Sequence, residues 1–292
     1  MKTLQQLLGR IAQALEARLP PSVEPLNWSE HTAAVWRVEQ GRGYLAPVSS
    51  SSPVVLDDLV GIESQRDRVV TNTLQFLQGL PANNVLMWGA RGTGKSSLVR
   101  ALLTAYASEG LRLLQVDRED LIQMPQILDS LAGQPWRFII YCDDLSFEED
   151  DVSYKRLKSA LDGALSLTPD NVLLYATSNR RHLLPEAAAD NLQAKWVEGE
   201  LHPGDAIEEK ISLSDRFGEW VGFYAFDQPT YVRAAQHWTE VLATRYGLSV
   251  RWDEQLELEA VRFAQGRGVR NGRVAHQFAS HWVGRQLLKR KE

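Results

Sequence analysis

The sequence predicts an α/β fold, a parallel sheet with helices on both faces followed by a smaller helical segment, and three observations predict it. Residues Gly89-Ala90-Arg91-Gly92-Thr93-Gly94-Lys95-Ser96 match the phosphate-loop pattern G-x-x-x-x-G-K-[ST], set between an apolar run and a helix-like stretch. Five short apolar runs, at 85–88, 111–116, 138–142, 172–176 and 220–225, are separated mostly by helical patterns. That alternation builds a parallel sheet covered on both faces. After Asp227 the strand-like runs nearly stop, and residues 229–246 and 253–288 read as helices.

The elements follow in order. Leu4, Leu7, Leu8, Ile11, Ala14 and Leu15 keep a helical rhythm, which predicts an amphipathic helix over 1–19 ended by Pro20-Pro21. A loosely patterned stretch with Trp28 and Trp36 follows, and Ser49-Ser50-Ser51-Ser52-Pro53 reads as a linker. Residues 1–52 are therefore expected to be an N-terminal accessory segment and linker, 53–226 the α/β core, and 227–292 a helical lid. Within the core, Leu59-Val60-Gly61-Ile62-Glu63 leads into a helix ending near Leu80-Pro81.

Composition narrows the class. An apolar content of 44% and a charged content of 24% are those of a globular protein. No apolar run is long enough for a membrane span, and the first residues lack a long signal-peptide core. The lone Cys142 excludes an internal disulfide and reads as a core thiol, so a cytoplasmic location is expected. Residues 262–292 hold eight Lys/Arg against Glu292 alone, a net +7; with −5 overall, the rest of the chain carries −12. Such a segment fits nucleic acid, an acidic partner, nucleotide phosphates or a solvated helix face.

The phosphate loop sets the chemistry. Its glycines let backbone N–H groups wrap a triphosphate at the N-terminus of the helix that Ser96 and Ser97 open. Lys95 can reach the β- and γ-phosphates and Ser96 can place its hydroxyl on Mg²⁺. A second carboxylate belongs on a neighbouring strand, and the run 138–142 ends in Asp143-Asp144. Asp143 is the metal-side residue; Asp144 is next in line to orient or deprotonate an attacking water. The acids at 148–151 read instead as a helix start, with Ser146 and Glu149 as a capping box and Leu157, Leu161 and Leu165 on one face. The fourth strand ends in Thr177-Ser178-Asn179, where Asn179 is best placed to meet the γ-phosphate or the water, with Thr177 and Ser178 as rivals. Arg216, just before the fifth strand, suits charge on a transferring phosphoryl group. Arg273 stands at a helix start, with Arg270 nearby. The histidines show no metal-ligand spacing, and the nine tryptophans are scattered.

With these elements in order, the chain resembles the AAA+ ATPases over roughly residues 54–290. Gly89 to Ser96 resembles Walker A, Asp143-Asp144 Walker B, Asn179 sensor 1, Arg216 the arginine finger and Arg273 sensor 2. Val60-Gly61-Ile62 resembles the segment that lines the adenine pocket. The strings Gly43-Tyr44-Leu45-Ala46-Pro47-Val48, Cys142-Asp143-Asp144-Leu145-Ser146-Phe147-Glu148, Thr177-Ser178-Asn179-Arg180-Arg181-His182-Leu183 and Leu213-Ser214-Asp215-Arg216-Phe217-Gly218 resemble one bacterial ATP-binding branch, domain of unknown function 815. The resemblance implies a P-loop core of five parallel strands in the order 5-1-4-3-2 with a helical lid. It also implies ATP and Mg²⁺ as cofactors, hydrolysis to ADP and phosphate, and a homo-oligomeric ring or partial ring in which Arg216 acts in trans. Two features depart from the wider family: Asp144 stands where Glu is common, one methylene shorter, and 118–136 holds no aromatic-hydrophobic-Gly pore loop. The reading that results is an ATPase that remodels or loads an unidentified protein or nucleic-acid client. A regulatory ATP switch with very slow hydrolysis is the alternative, and a small-molecule kinase a third.

Overall fold

The computed structural model describes residues 25–48, 54–146, 169–179, 195–197, 200–202 and 216–290. The expected helix over 1–19, the linker at 49–53, the acidic run at 148–151 with Leu157, Leu161 and Leu165, the strings 180–183 and 213–215 and most of 184–212 lie outside them. Within 184–212, strand β7 (Lys195–Val197) pairs antiparallel with β8 (Glu200–His202).

The five expected strands are β3 (Val85–Gly89), β4 (Leu111–Gln115), β5 (Arg137–Cys142), β6 (Val172–Ser178) and β9 (Glu219–Phe223). They run parallel in the order β4-β5-β6-β3-β9, the 5-1-4-3-2 order read from the other edge. Among the described residues the sheet has seven strands, however, not five. β1 (Ala33–Glu39) lies parallel to β4, and β2 (Arg42–Pro47) lies antiparallel to β1. The sheet thus begins at Ala33. Its extension escapes a sequence reading because the inward alternation of β1 rests on only two buried side chains, Ala34 and Trp36. Trp36 Nε1 donates to Gln123 Oε1 at 3.1 Å. Arg112 on β4 anchors the neighbouring stretch: its guanidinium donates to the Trp28 carbonyl at 2.8 Å and stacks 3.6 Å from the Trp136 ring centroid.

Each core strand divides its side chains between two apolar layers. On β5, Ile139 and Tyr141 join the layer that holds Leu98, Val99 and Leu102 of helix α2 (Lys95–Tyr106). Phe138, Ile140 and Cys142 join the layer that holds Ile127, Leu128 and Leu131 of α3 (Met124–Leu131). A strand covered on both faces needs continuous apolar sequence, which is what 138–142 shows. Helix α1 (Glu63–Leu77) packs toward the β9 edge, where Arg68 and Gln65 donate to the Trp220 and Gly222 carbonyls.

The lid is three helices: α4 (Gln228–Arg245), α5 (Glu254–Arg267) and α6 (Gly272–Lys289). The stretch 253–288, read as helical with a helix start at Arg273, is two helices: Gly268 takes a left-handed φ of 68° and Asn271 caps the second. Asp227, Asp253 and Asn271 cap α4, α5 and α6, each side chain accepting a first-turn N–H at 2.9 Å. Among the described residues no helix is long and apolar enough to cross a membrane.

Candidate functional site

A cavity of about 830 Å³ lies between the C-terminal ends of the parallel strands and the lid. That end of an open parallel sheet is where ligands bind. The loop after β3 forms its floor. Gly89 is required by packing, since a Cβ there would lie 1.9 Å from the Phe223 carbonyl oxygen, and its φ is 124°. Gly94 takes φ 106° and turns the chain into α2. Arg91, Gly92, Thr93, Gly94, Lys95, Ser96 and Ser97 all line the cavity; Gly89 and Ala90 do not, and contribute carbonyl oxygens instead.

Lys95, only 7% exposed, donates to the Gly89 and Ala90 carbonyls at 2.7 and 2.8 Å and to Asn179 Oδ1 at 3.5 Å. Burial lowers its pKa, against which Asp143 and Asp144 act to raise it. Ser96 Oγ donates to Asp143 Oδ1 at 2.9 Å, and Thr177 Oγ1 donates to the same oxygen at 2.5 Å. Burial would raise the Asp143 carboxyl, but the hydroxyls of Thr177, Tyr141 and Ser96 around it outweigh that and hold it below the ordinary 3.8. The Tyr141 phenol itself is pushed far up by burial and keeps its proton.

Asp144 takes a left-handed φ of 53°, uncommon away from glycine but tolerated by aspartate. Its carboxylate accepts a hydrogen bond from Asn179 Nδ2 and lies 3.7 Å from Arg91 Nη2. Its backbone N–H donates to Thr177 Oγ1 at 2.9 Å. Thr177 therefore meets both acids, a role its ranking behind Asn179 in the sequence did not convey. Ser178 is buried.

The opposite wall includes Val60 and Ile62. Gly61 between them is not a lining residue: its φ is 87° and a Cβ would lie 2.4 Å from Thr230 Cγ2. Asp58, Phe226, Trp238 and His276 complete this wall and were not legible in the sequence. His237 Nε2 meets Asp58 Oδ1 at 3.0 Å, and the Trp238 and His276 rings pack edge-on at 4.7 Å. From the lid, Arg273 lines the cavity and its backbone N–H donates to the Gly92 carbonyl at 3.0 Å. Arg270 does not line it; its carbonyl accepts from Phe226 N–H and its Nε is buried with no partner among the described residues. Asn271, which the sequence shows only as a capping type, donates from Nδ2 to the Arg91 carbonyl at 2.9 Å.

Arg216 stands apart from this cavity. It precedes β9, whose first residue, Glu219, pairs with Val85 at the start of β3, whereas the phosphate loop follows Gly89 at its end. At about 3.3 Å per residue, the strand length alone separates the two ends by ~15 Å.

The model of the family described as "Protein of unknown function (DUF815)" matches residues 29–286. Among solved structures, a RuvB variant of Thermotoga maritima aligns with a TM-score of 0.51 and 16% identity over 78% of this chain and 63% of its own. A second RuvB variant of that organism gives 0.51 and 15%, over 78% and 63%. The Aeropyrum pernix ORC1 protein in complex with DNA gives 0.52 and 16%, over 83% of this chain and 67% of its own. The alignment thus spans under two thirds of the RuvB chains. The likeness is one of fold. The sequence matches no curated protein.

Proposed function

This chain belongs to the DUF815 family, and from that premise and the geometry of its cavity we propose that it binds ATP with Mg²⁺, hydrolyses it to ADP and phosphate, and uses turnover to remodel or load a partner. One observation carries the reading: the Ser96 hydroxyl and the Asp143 carboxylate, 47 residues apart, meet at 2.9 Å directly after a glycine loop whose lysine is buried beside them. A hydroxyl and an ionised carboxylate side by side are hard oxygen ligands suited to Mg²⁺. Mg²⁺ held there would take its remaining ligands from the nucleotide's phosphates and from water. When bound, Mg²⁺ neutralises charge on the β- and γ-phosphate oxygens.

The chain's own residues supply the rest. Loop N–H groups and Lys95 hold the phosphates. Asp144 accepts the water's proton, with Asn179 orienting it. Arg273 brings a positive charge from the lid to the same cavity, and Val60 and Ile62 offer apolar surface to the base. Arg216, at the other end of the sheet, serves a neighbouring copy in a ring or partial ring. As a cytoplasmic protein with a separate helical lid, the molecule would couple nucleotide state to the lid through Asn271 and Gly92.

Arg285 pairs with Glu259 at 3.9 Å, Arg267 stacks 4.6 Å over Phe263 and bonds Gln277, and Arg290 donates to the Gly247 carbonyl. Three of the eight basic residues of 262–292 are thus engaged within the lid. A second reading, an ATP-dependent switch with very slow hydrolysis, draws on Asp144: it is shorter than glutamate and already engaged by Asn179 and Arg91.

A turnover assay with ATP, Mg²⁺ and no acceptor decides between them. Equal release of ADP and phosphate over many turnovers supports the ATPase. Saturable ATP binding with under one turnover per hour supports the switch, and no binding rejects both.

A further inference from the structure

Arg91, the third residue of the phosphate loop, lines the cavity with a side chain that is 72% exposed. Two lid contacts fix its backbone: Asn271 Nδ2 donates to the Arg91 carbonyl at 2.9 Å, and the Arg273 N–H donates to the Gly92 carbonyl at 3.0 Å. Its Nη2 stands 3.7 Å from Asp144 Oδ2, an ion pair too long for a hydrogen bond. Among the described residues none of its guanidinium N–H groups has a hydrogen-bond acceptor, so all its donors are unspent. Four side chains are linked in a row along this wall. Lys95 Nζ donates to Asn179 Oδ1 at 3.5 Å, Asn179 Nδ2 donates to Asp144, and Asp144 Oδ2 faces Arg91. Burial lowers the Lys95 pKa most, and the charges of Arg91 and Arg273 push the same way, so both cations stand near its ammonium. Arg100 also lines the cavity, but its Nε is directed at the Ser96 carbonyl, 3.4 Å away.

We propose that the Arg91 guanidinium binds the terminal phosphate of the nucleotide from within its own chain, so that the loop distinguishes a triphosphate from a diphosphate. This rests on the reading of Lys95 as a phosphate ligand and of Asp144 as the acceptor of the water's proton. A water activated by Asp144 must stand beside the phosphorus it attacks. That puts the last phosphoryl group, rather than the two before it, next to Asp144 and its neighbours in the row. A guanidinium carries five N–H donors in a planar fork, so Arg91 can hold a phosphate oxygen while keeping its place beside Asp144. A diphosphate ends short of the row and leaves Arg91 as it is. An arginine that served only the general field of the cavity would attract both nucleotides alike.

Calorimetric titration of the full chain, with Mg²⁺ and either ADP or the non-hydrolysable β,γ-imido analogue of ATP, tests this in wild type, Arg91→Ala, Arg91→Lys and Arg100→Ala. Arg91→Ala should lose about tenfold in affinity for the triphosphate, the worth of one charge-assisted hydrogen bond, and stay within about twofold for ADP. Binding of ADP by the same variant also reports that its loop is intact. Arg91→Lys, which keeps the charge but not the fork, should fall between wild type and Arg91→Ala for the triphosphate. Arg100→Ala should change the ratio of the two affinities by less than about twofold. Unchanged triphosphate affinity in Arg91→Ala overturns the proposal, as does an equal loss for both nucleotides. A shift in the ratio at Arg100→Ala as large as at Arg91→Ala overturns it too, because the preference then belongs to the general field. If wild type binds neither nucleotide, the ATP reading itself fails and this proposal with it. If wild type binds both and Arg91→Ala shows no triphosphate-selective loss, this proposal alone fails.

Discussion

Asn271 joins the lid to the phosphate loop, and its removal should cost more than a helix cap alone. Its Oδ1 accepts the Val274 N–H and its Nδ2 donates to the Arg91 carbonyl, both at 2.9 Å. Asn271→Ala removes a cap worth about 1 kcal/mol and a second hydrogen bond worth ~0.5–1.5 kcal/mol net. Asn271 is only 6% exposed and Val274 is buried, so water does not readily replace either bond. The expected loss is about 2 kcal/mol. Asn271→Asp keeps an acceptor for Val274 but sets a charged oxygen against the Arg91 carbonyl, so it should lose at least as much while leaving α6 capped. Urea denaturation of the three proteins measures the totals, and amide exchange at Val274 separates the cap from the loop contact. Exchange should quicken in Asn271→Ala and hold in Asn271→Asp. Stability of Asn271→Ala within about 0.5 kcal/mol of wild type would refute the reasoning, because the two bonds could not then both contribute as geometry requires.

Other predictions follow from the same cavity. Asp144→Asn should bind Mg²⁺-ATP nearly as wild type does and stop phosphate release, because an amide cannot accept the water's proton; normal turnover in this variant would move the base elsewhere. For Arg216, turnover per subunit should rise with protein concentration. A mixture of Arg216→Ala with a phosphate-loop variant should recover activity that neither shows alone, and concentration-independent turnover with no recovery would place the arginine's role within its own chain or nowhere. Asp143 has a folded pKa below its ordinary 3.8, so its contribution to stability is fully present above that value and lost as pH falls through the lower folded value. The stability difference between wild type and Asp143→Asn should hold from about pH 8 to about pH 5 and shrink below the carboxyl range; a difference that shrinks near neutrality would contradict the hydrogen-bond assignment.

The sequence made the phosphate loop legible because its chemistry is local: glycines, a lysine and a serine at fixed spacing need no knowledge of distant contacts. The five core strands were legible because burial on both faces demands continuous apolar runs, as at Val85–Gly89 and Arg137–Cys142. β1 was not, since its outer residues from Arg37 to Glu39 are exposed and only Ala34 and Trp36 face inward. The polar residues that fold across elements were also hidden. Thr177 reads only as a rival of Asn179, Tyr141 as one more position of an apolar run, and Asn271 as part of the turn before Arg273. Each gains its partner only from packing between β5, β6, α2 and the lid. Arg270 was read beside Arg273 as a second nucleotide contact, yet only Arg273 lines the cavity, because α6 begins at Gly272 and leaves Arg270 in the preceding turn.

The central claim, that Gly89 to Ser96 holds the phosphates of Mg²⁺-ATP, is tested most directly by isothermal titration of ATP with Mg²⁺ into wild type and Lys95→Ala. Wild type should bind saturably at one site per chain. Lys95→Ala should lose a charge-assisted contact worth about 1.5–3 kcal/mol, at least a tenfold fall in affinity, while retaining its fold by circular dichroism. Equal affinity in the two proteins, or no binding to wild type, would contradict the account.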